Sequence, residues 1–260
     1  MNNPFSKTVS AGGISFKHAK GVSDRSGKEF HLYHEIILFL GGKAELITER
    51  VKASLTPNTL IIIPKETYHQ LVIEGEQNDY YRCVFQFTQE EVSEELIKDA
   101  MGEVVLADID KSINGLFHRA TELTDRPEAP FLKEMLCATL VLILCEIRAK
   151  KGANIAVERL DDNIRRAIEY ISDHLTENIT LKDVSKALNI SLSSLMHTFK
   201  KNMKISPHQY ILKKRLILAH MKIASGEPAT SVALDCGFGD YSGFYRQYKK
   251  MFDSSPTAKK

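Results

Sequence analysis

One segment of the chain occurs twice in the C-terminal part, and this repeat constrains the fold more than any other feature. Residues 195–201 (Leu-Met-His-Thr-Phe-Lys-Lys) align with residues 244–250 (Phe-Tyr-Arg-Gln-Tyr-Lys-Lys) at an offset of 49 positions. Apolar residues fall on apolar residues, and a Lys-Lys pair falls on a Lys-Lys pair. The same offset relates Ser191 to Asp240, and both residue types are favoured helix N-caps. The repeat therefore predicts two equivalent basic helices, as expected for a protein that inserts both into one DNA duplex.

A short helix and a tight turn precede each of these two helices. Thr180 and Asp183 predict a capping box at the start of the first short helix, and Asn189 tolerates a left-handed backbone in the turn after it. In the second copy, residues 230–235 form the short helix, and Gly237 is the residue best suited to a positive φ. This order of elements is the helix-turn-helix pattern. All-α proteins also use this pattern for packing alone, but duplication with matched caps and matched lysines favours DNA binding.

Residues 207–225 are predicted to form one long helix between the two copies. Pro207 stands in its first turn, and Gly226 follows its end. Such a helix holds the two repeated helices at a fixed separation, and successive major grooves on one face of B-DNA recur every ~34 Å. We therefore expect two groove-reading helices about one duplex turn apart.

The charge of the chain is unevenly distributed. Residues 157–260 hold 17 Lys and Arg against 11 Asp and Glu, a net charge of +6, whereas residues 1–156 hold 18 against 22, a net charge of −4. Together they give the formal charge of +2. A basic C-terminal part joined to a mildly acidic N-terminal part predicts nucleic acid as a partner of one end only.

The N-terminal half is rich in short β-branched runs bounded by turn residues. These runs cover residues 35–40, 59–63, 69–73 and 80–87. Many short strands at close spacing favour a sandwich or a barrel, and we predict a small β-barrel. A helical pattern follows in three segments, residues 91–101, 109–123 and 131–150.

The length of 260 residues favours two domains. Gly152-Ala153-Asn154 is the predicted hinge. The predicted domains are residues 1–152, which sense an effector and dimerise, and residues 160–260, which bind DNA. The fold class is α+β with two domains, the first a β-barrel with helices and the second an all-α tandem helix-turn-helix.

The segment 131–150 is apolar over much of its circumference. One interpretation is a helix packed tightly on the barrel or on the preceding helix. The other is that part of this face pairs with the same face of a second subunit, as an isologous contact requires. Both can hold at once.

Two regions of the sequence resemble one known family. The C-terminal likeness is carried by Val232-Ala233, Gly237-Phe238, Asp240, Ser242, Phe244, Arg246, Tyr248-Lys249-Lys250 and Ser255-Pro256, which match the signature of the AraC/XylS family. The N-terminal likeness is carried by residues 30–36, Gly41-Gly42, residues 55–64 and His69, which resemble the cupin-like effector domain of AraC-family regulators. The resemblance implies a transcription regulator whose sensor domain often dimerises. The family usually has Gly where Lys204 and Asp253 stand, and because Lys accepts a left-handed turn poorly, we expect the corner at Lys204 to be built differently.

Position on the repeated helices predicts which side chains read DNA. Residues just after the N-cap and one turn later project into the groove, and the base-contacting positions of the resembled family fall on the same residues: Ser193, Met196, His197, Tyr241, Ser242, Tyr245 and Arg246. Arg246 is the strongest candidate because a guanidinium can bridge guanine O6 and N7. The predicted phosphate contacts are Lys200, Lys201, Lys249 and Lys250. Leu195, Phe199, Phe244 and Tyr248 are predicted to be core residues.

Polar residues of the N-terminal half are candidates for an effector pocket, namely His31, His34, Glu35, His69 and Arg82. Histidines and a carboxylate would also suit Fe, Mn or Zn. However, metal-binding cupins usually carry His-x-His, whereas His31 and His34 are three residues apart and face opposite sides of a strand unless a bulge intervenes. We therefore predict no metal. The remaining interpretations are a pocket for a small polar effector, such as a sugar or another metabolite, and polar residues on the barrel rim.

These observations predict a transcription regulator rather than an enzyme, with promoter occupancy modulated by a small molecule. The expected partners are double-stranded DNA, the effector, a second copy of the chain and RNA polymerase, with no cofactor. The start of the chain has no signal-peptide pattern and no apolar run reaches ~18 residues, which predicts a cytoplasmic protein without a membrane partner. The alternatives are a metal-dependent cupin enzyme fused to DNA-binding helices, and a regulator without a small-molecule effector.

Overall fold

The computed structural model describes residues 4–21, 30–75, 79–100, 105–106, 109, 111–149 and 158–257. The chain divides into two compact units, Met1–Arg159 and Leu160–Lys260. The predicted hinge at residues 152–154 lies outside the described residues. None of the described helices is long and apolar enough to cross a membrane.

The N-terminal unit contains two β-sheets. Its strands are β1 (Phe5–Ala11), β2 (Ile14–Lys20), β3 (His34–Gly41), β4 (Lys43–Thr48), β5 (Val51–Leu55), β6 (Thr59–Ile63), β7 (His69–Glu74), β8 (Tyr81–Phe87), β9 (Val105–Leu106) and β10 (Glu158–Arg159). The first sheet has the order β1-β2-β8-β3-β6-β9, and the second has the order β10-β5-β4-β7. All the pairings are antiparallel.

The predicted barrel is not confirmed, because no ladder between described strands closes the two sheets on each other. The chain passes from the first sheet to the second between β3 and β4. The register of β3 against β8 shifts between Phe39 and Gly41, and Gly42 has a φ of 92°. A Cβ on Gly42 would lie 2.9 Å from the backbone oxygen of Asp79, so glycine lets the chain turn there against the neighbouring backbone.

The first sheet is covered on both faces, which explains why all five residues of β6 are buried. Three helices pack on one face: α1 (Glu94–Ala100), α2 (Lys111–Leu123) and α3 (Leu132–Ala149). The second sheet packs on the other face, and Ile37, Ile61 and Val84 of the first sheet share a core with Leu46 and Leu55 of the second. The unit therefore has three layers with an apolar core on each side of the middle layer.

The C-terminal unit is helical. Its helices are α4 (Asp162–Asp173), α5 (Leu181–Ala187), α6 (Leu192–Met203), α7 (Pro207–Ala224), α8 (Ala229–Asp235) and α9 (Tyr241–Phe252). The predicted caps are present: Thr180 and Asp183 form a capping box, Ser191 accepts from the Ser194 N–H, and Asp240 accepts from the Gly243 N–H. The connecting helix α7 starts at Pro207, as predicted.

The helix pairs α5–α6 and α8–α9 are built on the same turn. Asn189 and Gly237 have φ values of 56° and 78°. The Ile190 N–H donates to the Ser185 carbonyl, and the Phe238 N–H donates to the Ala233 carbonyl, each at 3.0 Å. These equivalents are 48 positions apart, whereas the caps Ser191 and Asp240 are 49 apart, so Gly239 is the one inserted residue.

The expectation of a different corner at Lys204 is wrong. Lys204 and Asp253 both end their helices in the left-handed conformation, with φ values of 57° and 54°. Each backbone N–H donates to the carbonyl four residues earlier, at Lys200 and Lys249. The hydrogen bond and the following Ser-Pro residues fix this turn in both copies, so that the lower intrinsic preference of lysine does not decide it.

Candidate nucleic-acid interface

Helix α6 separates into a buried side and an exposed side. Leu195, Phe199 and Met203 are buried, and the Phe199 ring lies 5.4 Å from that of Tyr210 on α7. On the other side, the predicted base-contacting and phosphate-contacting residues are exposed: Ser193, Met196, His197, Lys200 and Lys201. Met196 is 47% exposed, a large apolar surface that packing within this unit does not use.

Helix α9 has the same organisation. Phe244 and Tyr248 are buried in the core of the second pair, as predicted, and the Tyr248 hydroxyl lies 2.7 Å from His220 Nδ1 on α7. Ser242, Arg246, Lys249 and Lys250 are exposed. Tyr241 and Tyr245 are half-buried, and the Tyr241 ring lies 5.8 Å from that of Phe244, so Tyr241 also contributes to packing.

The basic side chains of both helices are not neutralised internally. Within the described ranges, no carboxylate pairs with Arg246 or with the lysine pairs Lys200-Lys201 and Lys249-Lys250. Both pairs lie in the last turn of their helix. Their charges are therefore available to a polyanion such as the phosphate backbone of DNA.

Arg215 on α7 connects the two helix pairs, and the sequence reasoning missed it. Its guanidinium donates to the Leu175 and Glu177 carbonyls, between α4 and α5, at 2.8 and 2.6 Å. It also donates to the Gly237 carbonyl, in the turn of the second pair, at 2.8 Å. Only the position of Arg215 within the basic run Lys213-Lys214-Arg215 was visible in the sequence, and such runs are usually solvated.

In the N-terminal unit, the structure brings three of the five predicted pocket residues together. His31 Nε2 and His69 Nε2 lie 3.2 and 3.4 Å from the same oxygen, Glu35 Oε2. Gln86 Nε2 donates to the other oxygen, Glu35 Oε1, at 2.6 Å. All three residues are buried.

His34 and Arg82 do not join this cluster. His34 faces the helix side of the first sheet, where its ring stacks on Phe87 at 5.3 Å and its Nδ1 accepts the Lys65 N–H. Arg82 pairs with Phe39, four residues along β3 from Glu35, or roughly 13 Å away at about 3.3 Å per residue. Its guanidinium lies 4.6 Å from the centre of the Tyr80 ring.

The surroundings of Glu35 and His34 shift the pKa of each side chain. Burial alone would raise the pKa of Glu35, but the contacts with His31 and His69 outweigh it and hold this pKa below its ordinary range. Burial, with smaller effects of Lys65 and His31, lowers the pKa of His34 to about 4. Glu35 is therefore a carboxylate and His34 a neutral imidazole at neutral pH.

Comparisons with known proteins agree with the geometry of the C-terminal unit. Residues 184–260 match a family model described as a helix-turn-helix domain. The chain is 27% identical over 241 residues to a probable transcriptional regulator, LumQ, of Photobacterium leiognathi, covering 87% of this chain and 89% of LumQ. It is 28% identical over 147 residues to the HTH-type transcriptional activator RhaS of Salmonella agona, covering 56% of this chain and 51% of RhaS.

Among solved structures, the chain is similar to the C-terminal domain of AraT, a response regulator from Geobacillus stearothermophilus. That match has 29% identity and a TM-score of 0.37, and it covers 38% of this chain and 84% of that domain. The family-model match and the sequence relatives identify residues 184–260 as an AraC-type helix-turn-helix domain.

Proposed function

We propose that the protein binds specific DNA sequences through α6 and α9 together, and that a small molecule bound in its N-terminal unit changes promoter occupancy. One observation supports the DNA-binding part: α6 and α9 have a side-chain cap at equivalent positions, and their buried and exposed sides are equivalent at one sequence offset. Packing alone would not require two lysines without a carboxylate partner in the last turn of both α6 and α9.

The exposed residues divide by chemistry into two roles. Arg246 reads a guanine through paired hydrogen bonds, and Ser193, His197 and Ser242 supply further polar contacts to base edges. Met196 and the half-buried Tyr241 and Tyr245 contact thymine methyl groups or sugars. Lys200, Lys201, Lys249 and Lys250 neutralise phosphates, and they set affinity and its salt dependence rather than sequence preference.

The N-terminal unit acts as the sensor and as the contact with a second copy. The buried side of α3 packs on the first sheet through Leu136, Leu140 and Ile143, whereas Leu142 is 53% exposed. Ala138 and Cys145 are exposed on the same stripe, three or four residues from Leu142. Such a stripe fits an isologous contact between two α3 helices. An effector changes promoter occupancy if it binds one arrangement of the dimer more tightly than the other. RNA polymerase is the further partner that we expect at the promoter.

The direct test is the DNA preference of Arg246→Ala, with Arg166→Ala as the matched control, since Arg166 is exposed on α4 outside both pairs. Fragments of genomic DNA bound by each protein are sequenced, and affinities are measured by fluorescence anisotropy. We expect Arg246→Ala to lose preference at one or two base pairs, at a cost of about 1–3 kcal/mol, and the control to bind as the wild type does. Uniform weakening on all sequences would contradict the role given to Arg246.

A further inference from the structure

His31, Glu35 and His69 come from separate segments of the N-terminal unit and converge at the edge of the inter-sheet core. His31 precedes β3, Glu35 lies on β3 of the first sheet, and His69 opens β7 of the second sheet. Their ligand atoms all lie within 4.8 Å of one another. We propose that these three side chains hold a divalent transition-metal ion, a role that does not depend on DNA binding.

Backbone carbonyls select the tautomer that each imidazole adopts in its neutral form. His31 Nδ1 lies 2.7 Å from the Tyr33 carbonyl, and His69 Nδ1 lies 3.4 Å from the Thr67 carbonyl. A carbonyl can only accept, so each neutral imidazole carries its proton on Nδ1 and leaves the Nε2 lone pair bare. In metal-binding histidines, the N–H of the ring nitrogen that does not bind the metal characteristically donates to a carbonyl or a carboxylate.

Both Nε2 atoms lie within 3.4 Å of one carboxylate oxygen. His31 Nε2 lies near Glu35 Oε2 but outside hydrogen-bond geometry, and no other described residue hydrogen-bonds to it. Ring nitrogens without a proton are repelled by an anionic oxygen this close unless a positive charge, either a proton or a metal ion, lies between them. The arrangement therefore calls for a positive charge at the centre of the three groups.

The carboxylate is also held in place from behind. Gln86, opposite Glu35 on β8, donates to Oε1 and leaves Oε2 directed at the histidines. The His31 ring stacks on Tyr33 at 4.1 Å and meets the His69 ring edge-on at 4.8 Å. Fixed rings and an oriented carboxylate reduce the entropy lost when an ion binds.

The spacing fits a first-row transition metal. Metal–ligand distances of about 2.0–2.1 Å at tetrahedral angles place two ligand atoms roughly 3.4 Å apart. The separations of the two histidine nitrogens from Glu35 Oε2, 3.2 and 3.4 Å, already match this. The third separation is at most 4.8 Å, so the rings close by up to about 1.4 Å on binding.

The donor set selects the class of ion. Two imidazoles and one carboxylate suit Zn²⁺, Fe²⁺ or Mn²⁺, whereas Mg²⁺ and Ca²⁺ prefer all-oxygen sites. Three protein ligands leave at least one position for water or for an oxygen of another ligand. The Glu35 and His69 side chains are 9% and 10% exposed, which gives the ion a route from solvent.

The test uses the full chain, stripped with a chelator and titrated with Zn²⁺ by isothermal calorimetry. We expect one Zn²⁺ per chain, and binding at least about tenfold weaker in His31→Ala, Glu35→Gln and His69→Ala, since loss of outer partners alone costs 10–100-fold. Mg²⁺ should not displace Zn²⁺. His118→Ala is the matched control, because the exposed His118 forms a surface pair with Glu122 at 3.6 Å.

A measurement on the wild type guards against variants that fail to fold. Titration of Zn²⁺ into ¹⁵N-histidine-labelled protein should shift two imidazole Nε2 resonances, and Co²⁺ in place of Zn²⁺ should give visible absorption bands. The absence of a bound ion in the wild type would overturn the proposal. Equal binding in the wild type and the folded Glu35→Gln, or loss in His118→Ala, would also overturn it.

Discussion

Replacing Arg215 by methionine tests whether one side chain holds the two helix pairs together. Methionine keeps the length and the apolar character of the stem but removes every donor of the guanidinium. The Leu175, Glu177 and Gly237 carbonyls then lose their hydrogen bonds from α7. The first two belong to the segment before α5, and the third belongs to the turn between α8 and α9.

The expected loss of stability follows from one stabilising effect and two effects that offset part of it. Hydrogen bonds to a charged group contribute about 1.5–3 kcal/mol each, so three give an upper limit near 9 kcal/mol. Arg215 is half-buried, so water replaces part of the lost bonding. Burial also lowers the pKa of Arg215, which means that desolvation already offsets part of the gain. We therefore expect the free energy of unfolding of the C-terminal unit to fall by about 2–4 kcal/mol.

Hydrogen–deuterium exchange followed by mass spectrometry resolves this loss by segment. Arg215→Met should speed exchange in peptides covering residues 175–180 and 236–240, and should lower the urea midpoint of the C-terminal unit. Arg166→Met removes the same charge from an exposed site on α4 and should do neither. Equal exchange and equal midpoints in the two variants would refute the reasoning. DNA affinity should fall with Arg215→Met, because the separation of α6 and α9 is no longer fixed.

Three further results are expected. Gly237→Ala should lower the free energy of unfolding by about 1–3 kcal/mol, as measured in urea titrations. The φ of 78° disfavours a side chain, and the new Cβ would lie 2.9 Å from the Arg215 guanidinium carbon. The control Gly239→Ala, which has open space around its Cβ, should change the free energy of unfolding little. Lys249→Gln with Lys250→Gln should reduce the slope of log affinity against log salt by up to about 2, and an unchanged slope would remove both from the phosphate contacts. The pKa of His34 is 6.5 in the unfolded chain and about 4 in the folded one, so the N-terminal unit loses up to about 3 kcal/mol of stability as pH falls between these values. His34→Phe should flatten the dependence of the free energy of unfolding on pH. A dependence as steep as in the wild type would contradict the assignment.

The helices of the C-terminal unit could be predicted from the sequence because their signals are local. Thr180, Ser191, Pro207 and Asp240 act within one turn of their own position, and each begins or caps a helix as expected. The heptapeptide repeat also indicated the buried and exposed sides of α6 and α9. The corner at Lys204 was misjudged because residue preference is weak against a hydrogen bond and a following Ser-Pro.

The features that could not be predicted depend on contacts between distant residues. The passage from β3 to β4 is made at Gly42, whose backbone packs against Asp79, and strand periodicity does not encode this contact. Arg215 donates to backbone carbonyls 22 and 40 residues away. Every residue has a backbone carbonyl, so the sequence does not indicate which ones a side chain contacts. Strand spacing does not apply to His31, which precedes β3, and it could not show that His69 on the other sheet meets His31 and Glu35.

The central claim is that α6 and α9 read two successive major grooves on one face of the same duplex. It is tested most directly by hydroxyl-radical footprinting of the wild type on its highest-affinity genomic fragment. We expect two protected regions about ten base pairs apart, with protection of the region read by α9 lost in Arg246→Ala. A single protected region, or two regions half a turn apart on opposite faces of the duplex, would contradict it.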